Sequence, residues 1–358
     1  MYNTGIYTSS KLFTGNEWLY NYAVVVNDGM IENLLPNNKL LVPATKHLNC
    51  LIPAFIDIQI YGAYEQLFSV FPTTTALEKL YQYCLAGKTA YFLPTIATNN
   101  VAAIHACINA IKAYWQMGGK GCLGLHIEGP WINPIKKGAH IESLIHSPTI
   151  DEVQSLITYG KDVIKMITLA PEVCSKEIIA FIKNNNIVVS AGHSNALYEE
   201  ATEHFNIENI TTVTHLYNAM SGLQHRQPGL VGATLNHSTV MASIIPDGYH
   251  VDFAAISIAK KIMQERLFVI TDAVTTTKDG HYKHELFENK YESNGTLSGS
   301  ALTMEKAVLN LMQYCNINFE EACRMCSLYP AKAINLDHEI GKIEVGYKAA
   351  FFDWPTEV

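Results

Sequence analysis

Before its midpoint the chain reads Gly124-Leu125-His126-Ile127-Glu128-Gly129-Pro130, an apolar run that stops at a carboxylate and a turn. Later apolar runs stop in the same way, each at or just before one polar side chain: His193, His215 and Asp272. In closed α/β barrels the carboxyl ends of the strands meet at one face, and that face carries the working residues. The stretch therefore predicts a barrel strand with a functional group at its end.

The region from residue 53 to residue 334 alternates strand-like runs with amphipathic helices, which is typical of βα units on a parallel sheet. The predicted strands cover residues 55–58, 90–93, 122–127, 163–168, 187–191, 210–214, 241–245 and 267–271. Helices are predicted near residues 74–85, 101–117 and 196–205. We therefore predict the α/β fold class, with a TIM-like (β/α)8 barrel over residues 53–334.

The two ends of the chain share a different sequence pattern, in which short strand-like runs are separated by glycines. Residues 1–52 contain the tight-turn sequence Asn27-Asp28-Gly29 between apolar runs. Near the other end, Gly341–Gly346 and Ala350–Trp354 also read as short strands. We predict that residues 1–52 and 335–358 together form a small β-sandwich domain.

Composition excludes several classes of function. The chain has 358 residues, 48% of them hydrophobic and 16% charged, with a formal net charge of -8. A general nucleic-acid binder needs a basic surface, so this class is disfavoured. The first residues lack the basic and apolar regions of a signal peptide, and the sequence shows no long apolar run that would span a membrane. A soluble cytoplasmic protein is the expectation.

The eight cysteines are scattered along the chain, which favours reduced, buried thiols over a disulfide framework. Cys323 and Cys326 form the single close pair and lie on a helical pattern. A structural zinc site would need a second pair nearby. Small buried side chains are therefore the preferred interpretation of this pair, and a metal or redox role is the alternative.

The strand-end residues have the chemistry of a metal site that activates water. Glu128, His193 and His215 would supply three oxygen or nitrogen ligands and leave one position open, as in catalytic zinc sites. Asp272 could take a proton from the attacking water and pass it to a leaving group. A turn-capping role is the alternative for Asp272. His126 lies two residues before Glu128 on the same side of an extended strand, where it would support the site.

The motifs resemble those of N-acetylglucosamine-6-phosphate deacetylases, within the amidohydrolase superfamily. The matching stretches run through nearly the whole chain and are Pro53–Gln59, Phe92–Thr95, Gly124–Pro130, Asn133–His140, Ser190–Ser194, Thr214–Met220, Asp247–His250, Thr271–Ala273 and Thr296–Ser300. Gly-Leu-His-Ile-Glu-Gly-Pro together with Thr-His-Leu-Tyr-Asn-Ala-Met is specific to this family.

The resemblance implies a role for each matching position. It implies metal binding by Glu128, His193 and His215, proton transfer by Asp272, and polarisation of the acetyl carbonyl by His140. It also implies that a sugar phosphate is bound by the residues Ala139, Asn218, Ala219, Arg226, His250, Leu297, Ser298 and Gly299. In such enzymes the residue matching Arg226 reaches a neighbouring subunit's site, so the resemblance implies a homodimer.

One departure from the family bears on the number of metal ions. Amidohydrolases with two metals begin the barrel with His-x-His, whereas this chain has Gln59-Ile60-Tyr61 at that point. Neither side chain is a good zinc ligand, so we expect one divalent ion per subunit. One carboxylate and two imidazoles suit zinc best, with iron, manganese and cobalt as alternatives. Tyr61 is unusual, because relatives with Gln at the first position commonly have Asn at the second.

The predicted activity is hydrolysis of N-acetyl-D-glucosamine 6-phosphate to D-glucosamine 6-phosphate and acetate, in amino-sugar metabolism. Two alternatives stay open. One is a related substrate, such as N-acetylgalactosamine 6-phosphate, and the other is a barrel that binds a sugar phosphate without catalysis. The presence of Asp272 disfavours the second, since a sensor has no need of a proton shuttle.

Overall fold

The computed structural model describes residues 2–293 and 295–355. Its strands are β1 (Gly5–Phe13), β2 (Trp18–Asn27), β3 (Met30–Pro36), β4 (Lys46–Pro53), β5 (Phe55–Ile60), β6 (Gly62–Ala63), β7 (Gln66–Leu67), β8 (Thr89–Ala97), β9 (Leu125–Glu128), β10 (Ile164–Leu169), β11 (Val188–Ala191), β12 (Thr212–Val213), β13 (Met241–Ile244), β14 (Leu267–Val269), β15 (Glu285–Phe287), β16 (Lys290–Ser293), β17 (Thr296–Ser300) and β18 (Phe351–Asp353).

The α-helices are α1 (Thr74–Ala86), α2 (Val101–Gln116), α3 (Ile150–Tyr159), α4 (Lys176–Asn184), α5 (Tyr198–Asn206), α6 (Gly229–Asn236), α7 (Phe253–Met263), α8 (Met304–Cys315), α9 (Phe319–Cys326) and α10 (Leu328–Ala333). Short 3-10 helices cover Asn37–Lys39, Pro134–Lys136, Glu142–Leu144, Pro171–Val173 and Gln264–Arg266. Many helices begin after a Ser, Thr, Asn or Asp whose side chain accepts a backbone N–H of the first turn, which explains where they start.

The centre of the molecule is an eight-stranded parallel sheet in the order β5-β8-β9-β10-β11-β12-β13-β14. All eight predicted barrel strands are present. The sheet closes where the segment after β14 meets β5: the Asp272 N–H donates to the Gln59 carbonyl at 3.0 Å, and the Tyr61 N–H donates to the Ala273 carbonyl at 2.8 Å. Across the same seam, the Thr271 hydroxyl donates to the fully buried Asp57 carboxyl at 2.5 Å. The TIM-like barrel is confirmed.

The two ends of the chain meet in the small β domain, as predicted, and their strands form one mixed sheet in the order β18-β4-β1-β2-β3. Ala350–Trp354 contains the predicted strand, β18. The strand predicted at Gly341–Gly346 is absent, since these residues form turns that attach to the sheet by single hydrogen bonds. Gly341 and Gly346 have φ values of 94° and 89°, which a regular strand does not accommodate.

A three-stranded sheet, β15-β16-β17, follows the last barrel strand and stands at the mouth of the barrel. The eight cysteines are all free thiols. Cys323 and Cys326 are fully buried on α9, and burial raises the pKa of both thiols, which supports their interpretation as core side chains. Within the residues described, we find no helix with the length and apolar character needed to cross a bilayer.

Candidate metal centre and substrate pocket

The predicted strand-end residues meet in one pocket at the carboxyl end of the barrel. Glu128 is the last residue of β9, while His193, His215 and Asp272 follow β11, β12 and β14 within two or three residues. All four side chains are buried. His193, His215 and Asp272 have φ values of 49°, 36° and 54°. Non-glycine residues avoid this left-handed region, and such strain is concentrated at functional sites.

One oxygen of Glu128 faces both predicted imidazole ligands. Glu128 Oε1 lies 3.4 Å from His193 Nε2 and 3.0 Å from His215 Nε2, and the two nitrogens are 3.1 Å apart. A tetrahedral ion with ligands at roughly 2.0–2.1 Å would separate its ligand atoms by roughly 3.3 Å. The three atoms therefore have the spacing of one face of a tetrahedral site.

The hydrogen bonds of His193 favour metal binding through Nε2. Its Nδ1 lies 2.8 Å from the carbonyl oxygen of Lys136, in the 3-10 helix Pro134–Lys136. A carbonyl can only accept, so Nδ1 carries the proton and Nε2 keeps its lone pair. His215 Nε2 likewise faces Glu128 Oε1. The buried Nδ1 of His215 has no protein partner among the described residues.

His140 is the third imidazole beside Glu128, and its potential ligand atom groups with those of Glu128 and His193 within 4.8 Å. Its Nδ1 accepts the Thr98 backbone N–H at 3.3 Å, and its Nε2 lies 3.3 Å from Glu128 Oε2. Burial lowers the pKa of His140 to about 4, so the ring is neutral. A neutral ring that accepts at Nδ1 carries its proton on Nε2. His140 is thus arranged as a donor, the property that polarisation of a carbonyl requires.

Asp272 lies beside this cluster and is held by Gln59. Gln59 Nε2 is 2.9 Å from Asp272 Oδ1 and 3.0 Å from Glu128 Oε1. Burial, and next the nearby charge of Glu128, raise the pKa of Asp272. The carboxyl therefore exchanges its proton closer to neutral pH than an exposed aspartate does, which suits a general base that becomes a general acid.

His126 lies below the pocket and acts as a structural support. Its Nδ1 donates to the Ile58 carbonyl at 2.9 Å, and its Nε2 accepts from the Thr168 hydroxyl at 2.8 Å. Thr214 connects Thr168 to Ser190 at hydroxyl distances of 2.7 and 2.6 Å. Both nitrogens of His126 are occupied by protein groups, which agrees with its predicted place beside the site.

Most of the predicted sugar-phosphate residues line the same pocket, namely Ala139, Asn218, Ala219, His250, Leu297 and Ser298. His250 Nδ1 donates to Asp247 at 2.6 Å, which directs the other ring nitrogen toward Asp272, 4.0 Å away. Gly299 belongs to β17 but is not part of the lining. Arg226 is exposed on the loop before α6, outside the pocket of its own chain. The roles of these residues stay predictions.

The pocket also contains residues that the sequence did not indicate. Tyr282 and His284, from the segment that leads into β15, also line it. Tyr282 donates to the Thr98 carbonyl at 2.8 Å, and His284 Nδ1 lies 2.8 Å from the Ser298 hydroxyl. Burial lowers the pKa of His284 to about 4, so this ring is neutral. No periodicity or motif in this irregular segment could have identified them.

Comparison with known proteins identifies the class. Residues 50–356 match the amidohydrolase family, and residues 3–45 match the NagA composite domain. The first match covers far more than half of the chain and includes every predicted site residue, so the protein belongs to the amidohydrolase family.

Individual relatives carry names that are more specific than that of the family. The chain is 32% identical to N-acetylglucosamine-6-phosphate deacetylase of Haemophilus influenzae, covering 94% of this chain and 91% of that protein. It is 31% identical to N-acetylgalactosamine-6-phosphate deacetylase of Escherichia coli O157:H7, covering 97% and 94%. The crystal structure of N-acetylglucosamine-6-phosphate deacetylase from Pasteurella multocida superposes with a TM-score of 0.92 at 32% identity, covering 98% of this chain and 96% of that chain.

Proposed function

We propose that this protein hydrolyses the amide bond of N-acetyl-D-glucosamine 6-phosphate, releasing D-glucosamine 6-phosphate and acetate. The observation that carries the proposal is the convergence of one carboxylate and two imidazoles with Asp272 in a single buried pocket. Support also comes from the relatives, which are deacetylases of 6-phosphorylated N-acetyl sugars and match nearly the whole chain.

Glu128, His193 and His215 would hold one divalent ion. Zinc suits this donor set best, while iron, manganese and cobalt are also compatible with it. When bound there, such an ion would supply Lewis-acid activation of water and of the acetyl carbonyl. The spacing of the three donor atoms, between 3.0 and 3.4 Å, supports a compact single-ion site.

The protein's own groups then move protons and stabilise charge. Asp272 takes the proton of the attacking water and later delivers it to the departing sugar amine. His140, with its proton on Nε2, donates to the carbonyl oxygen as negative charge develops there. Gln59 orients the Asp272 carboxylate through the 2.9 Å hydrogen bond.

The sugar phosphate needs local donors, because the chain carries a net charge of -8 and, among the described residues, the pocket lining has no Lys or Arg. We assign this role to the Asn218 amide, the Ala219 N–H, His250 and an arginine. Arg226 lies outside its own pocket, so we assign it to the site of a second subunit in a homodimer. Ala139 and residues 297–299 would enclose the sugar.

Acetate release by metal-stripped protein refilled with one ion at a time tests the activity. The substrate panel contains N-acetylglucosamine 6-phosphate, its galacto epimer and both sugars without phosphate. We expect rapid release from a phosphorylated sugar, slow release without phosphate, and none after removal of the metal. A preference for the galacto epimer would favour the second candidate, suggested by the Escherichia coli relative. Tight sugar-phosphate binding without acetate release would contradict a catalytic role.

The dimer is tested by complementation between two variants. Arg226→Ala should raise KM for the phosphorylated substrate, and Asp272→Asn should lower kcat strongly. In a mixed dimer one pocket combines an intact Asp272 with the partner subunit's Arg226, so co-expression of both variants should restore part of the activity at low substrate concentration. If the mixed dimers show no more activity than Arg226→Ala dimers alone, Arg226 does not act across subunits.

A further inference from the structure

Tyr61 is buried in the pocket and binds directly to the predicted metal ligand Glu128. Its hydroxyl donates to Glu128 Oε2 and lies 2.9 Å from Gln59 Nε2. Its backbone is fixed on both sides, because its N–H donates to the Ala273 carbonyl and its carbonyl accepts the Phe68 N–H, each at 2.8 Å. The ring therefore has a fixed position relative to the carboxylate.

The two oxygens of Glu128 have different surroundings. Oε2 faces two proton donors, the Tyr61 hydroxyl and His140 Nε2. Oε1 faces the Nε2 atoms of His193 and His215. Hydrogen bonds to a charged acceptor are stronger than those between neutral groups, so the Tyr61 hydroxyl holds the carboxylate in this orientation.

The space between the carboxylates of Glu128 and Asp272 is also occupied. Gln59 Nε2 lies 3.0 Å from Glu128 Oε1 and 2.9 Å from Asp272 Oδ1, and an amide has two hydrogens to give. A second cation that joined Glu128 to Asp272 would have to displace this amide. The Tyr61 hydroxyl lies on the same side, 2.9 Å from the amide nitrogen.

We propose that Tyr61 is a positioning residue that engages Glu128 Oε2, so that Oε1 alone is offered to a single divalent ion. The residue does not touch the reacting atoms. It acts through Glu128 by excluding bidentate binding and, together with Gln59, by excluding a second ion. This inference rests on the metal-dependent activity proposed above.

Titration of metal-stripped protein with Zn²⁺, followed by calorimetry, tests the proposal without substrate. Tyr61→Phe keeps the ring and removes the donor, and we expect the affinity for Zn²⁺ to fall about 10- to 100-fold, the usual effect of losing a group that orients a ligand. The visible spectrum of the Co²⁺-loaded variant should weaken, because a bidentate Glu128 raises the coordination number. The binding stoichiometry should stay at one ion, since Gln59 remains.

Tyr83→Phe is the matched control, because the Tyr83 hydroxyl donates to the Leu302 carbonyl at 3.1 Å and has no contact with Glu128. It should bind Zn²⁺ as the unchanged protein does. Urea unfolding without metal checks that Tyr61→Phe folds, and Tyr61→Leu replaces it if it does not. Unchanged Zn²⁺ affinity and Co²⁺ spectrum in the Tyr61 variant would overturn the inference. Absence of Zn²⁺ binding by the unchanged protein would instead contradict the proposed function.

Discussion

At the scale of single residues, the site depends on side chains whose backbone is held in an unfavourable conformation. His193, His215 and Asp272 all adopt left-handed φ values at strand ends. Each such residue costs of order 1–3 kcal/mol, and the closed barrel around it compensates for the strain. This turn of the chain directs the three side chains into the pocket immediately after their strands end.

Replacement of Asp272 by Asn tests proton transfer. Asparagine has the shape of aspartate and keeps an oxygen for Gln59, so fold and metal content should be preserved. Because the amide cannot accept the proton of water, kcat should fall by about 10²–10⁴-fold, the usual contribution of a general base. Turnover is measured with metal content and the urea unfolding curve of the same preparation.

Asp279→Asn, an exposed aspartate of the loop before β15, is the matched control and should leave kcat unchanged. Near-normal turnover in Asp272→Asn would remove Asp272 from the mechanism.

At the scale of elements, a directed chain of hydrogen bonds connects the barrel strands under the pocket. His126 donates from Nδ1 to the Ile58 carbonyl, so its Nε2 accepts from the Thr168 hydroxyl. The Thr168 hydroxyl then accepts from Thr214, and the Thr214 hydroxyl accepts from Ser190. These residues belong to β5, β9, β10 and β11 and to the segment after β12. This series of hydrogen bonds fixes the positions of the strands along the barrel axis relative to one another. Through the strands it fixes the spacing of Glu128, His193 and His215.

Thr214→Val tests this chain of hydroxyls. Valine has the shape of threonine, but the fully buried hydroxyls of Thr168 and Ser190 each lose their hydrogen bond to residue 214. We expect the free energy of unfolding, measured in urea without metal, to fall by about 1–3 kcal/mol. Zn²⁺ affinity should fall as well, because the strand ends lose their alignment.

Thr234→Val is the control at equal burial, since the Thr234 hydroxyl makes one bond, to the Leu230 carbonyl within α6. It should cost less stability and leave Zn²⁺ binding unchanged. If both variants behave alike, the series of hydroxyl hydrogen bonds has no special role in aligning the strand ends.

At the scale of the whole molecule, closure of the barrel assembles the site. The seam between β5 and the segment after β14 contains the Asp57–Thr271 hydrogen bond and two backbone bonds. Closure brings Gln59 and Tyr61 beside Asp272, which is more than 200 positions away in the chain. Burial raises the pKa of Asp57 to about 7, although hydrogen bonds from Thr271 and Gln59 oppose this.

The pKa of Asp57 predicts how stability depends on pH. The folded state holds this proton more tightly than the unfolded chain does. Its contribution to stability is therefore complete below the unfolded pKa, near 4, and is lost as the pH rises through about 7. Asp57→Asn removes the ionisation. Between pH 5 and 7 the unchanged protein should lose stability relative to this variant, by at most about 1.4 kcal/mol per pH unit.

Urea unfolding across this pH range measures the difference. Asp162→Asn, an exposed aspartate, serves as control and should leave the pH dependence of the unchanged protein in place. Parallel curves for Asp57→Asn and the unchanged protein would show that Asp57 is already ionised in the folded state.

The barrel and the candidate site residues could be predicted from the sequence alone. Apolar periodicity is a local property, so the eight strands and the polar residues at the ends of four of them could be read without knowing which strands are neighbours. The strand predicted at Gly341–Gly346 was wrong, because the two glycines adopt left-handed conformations in a segment that periodicity alone describes as strand-like.

The contacts that complete the site depend on the tertiary structure and could not be predicted from the sequence. The bond from Tyr61 to Glu128, the bridge from Gln59 to Asp272 and the position of His284 in the same pocket join residues far apart in the chain. Such contacts depend on how the sheet closes and on the rotamers that packing permits, and neither leaves a periodic signal. The protonated nitrogen of His126, His140 and His193 was decided in the same way, by the backbone group that the fold places beside each ring.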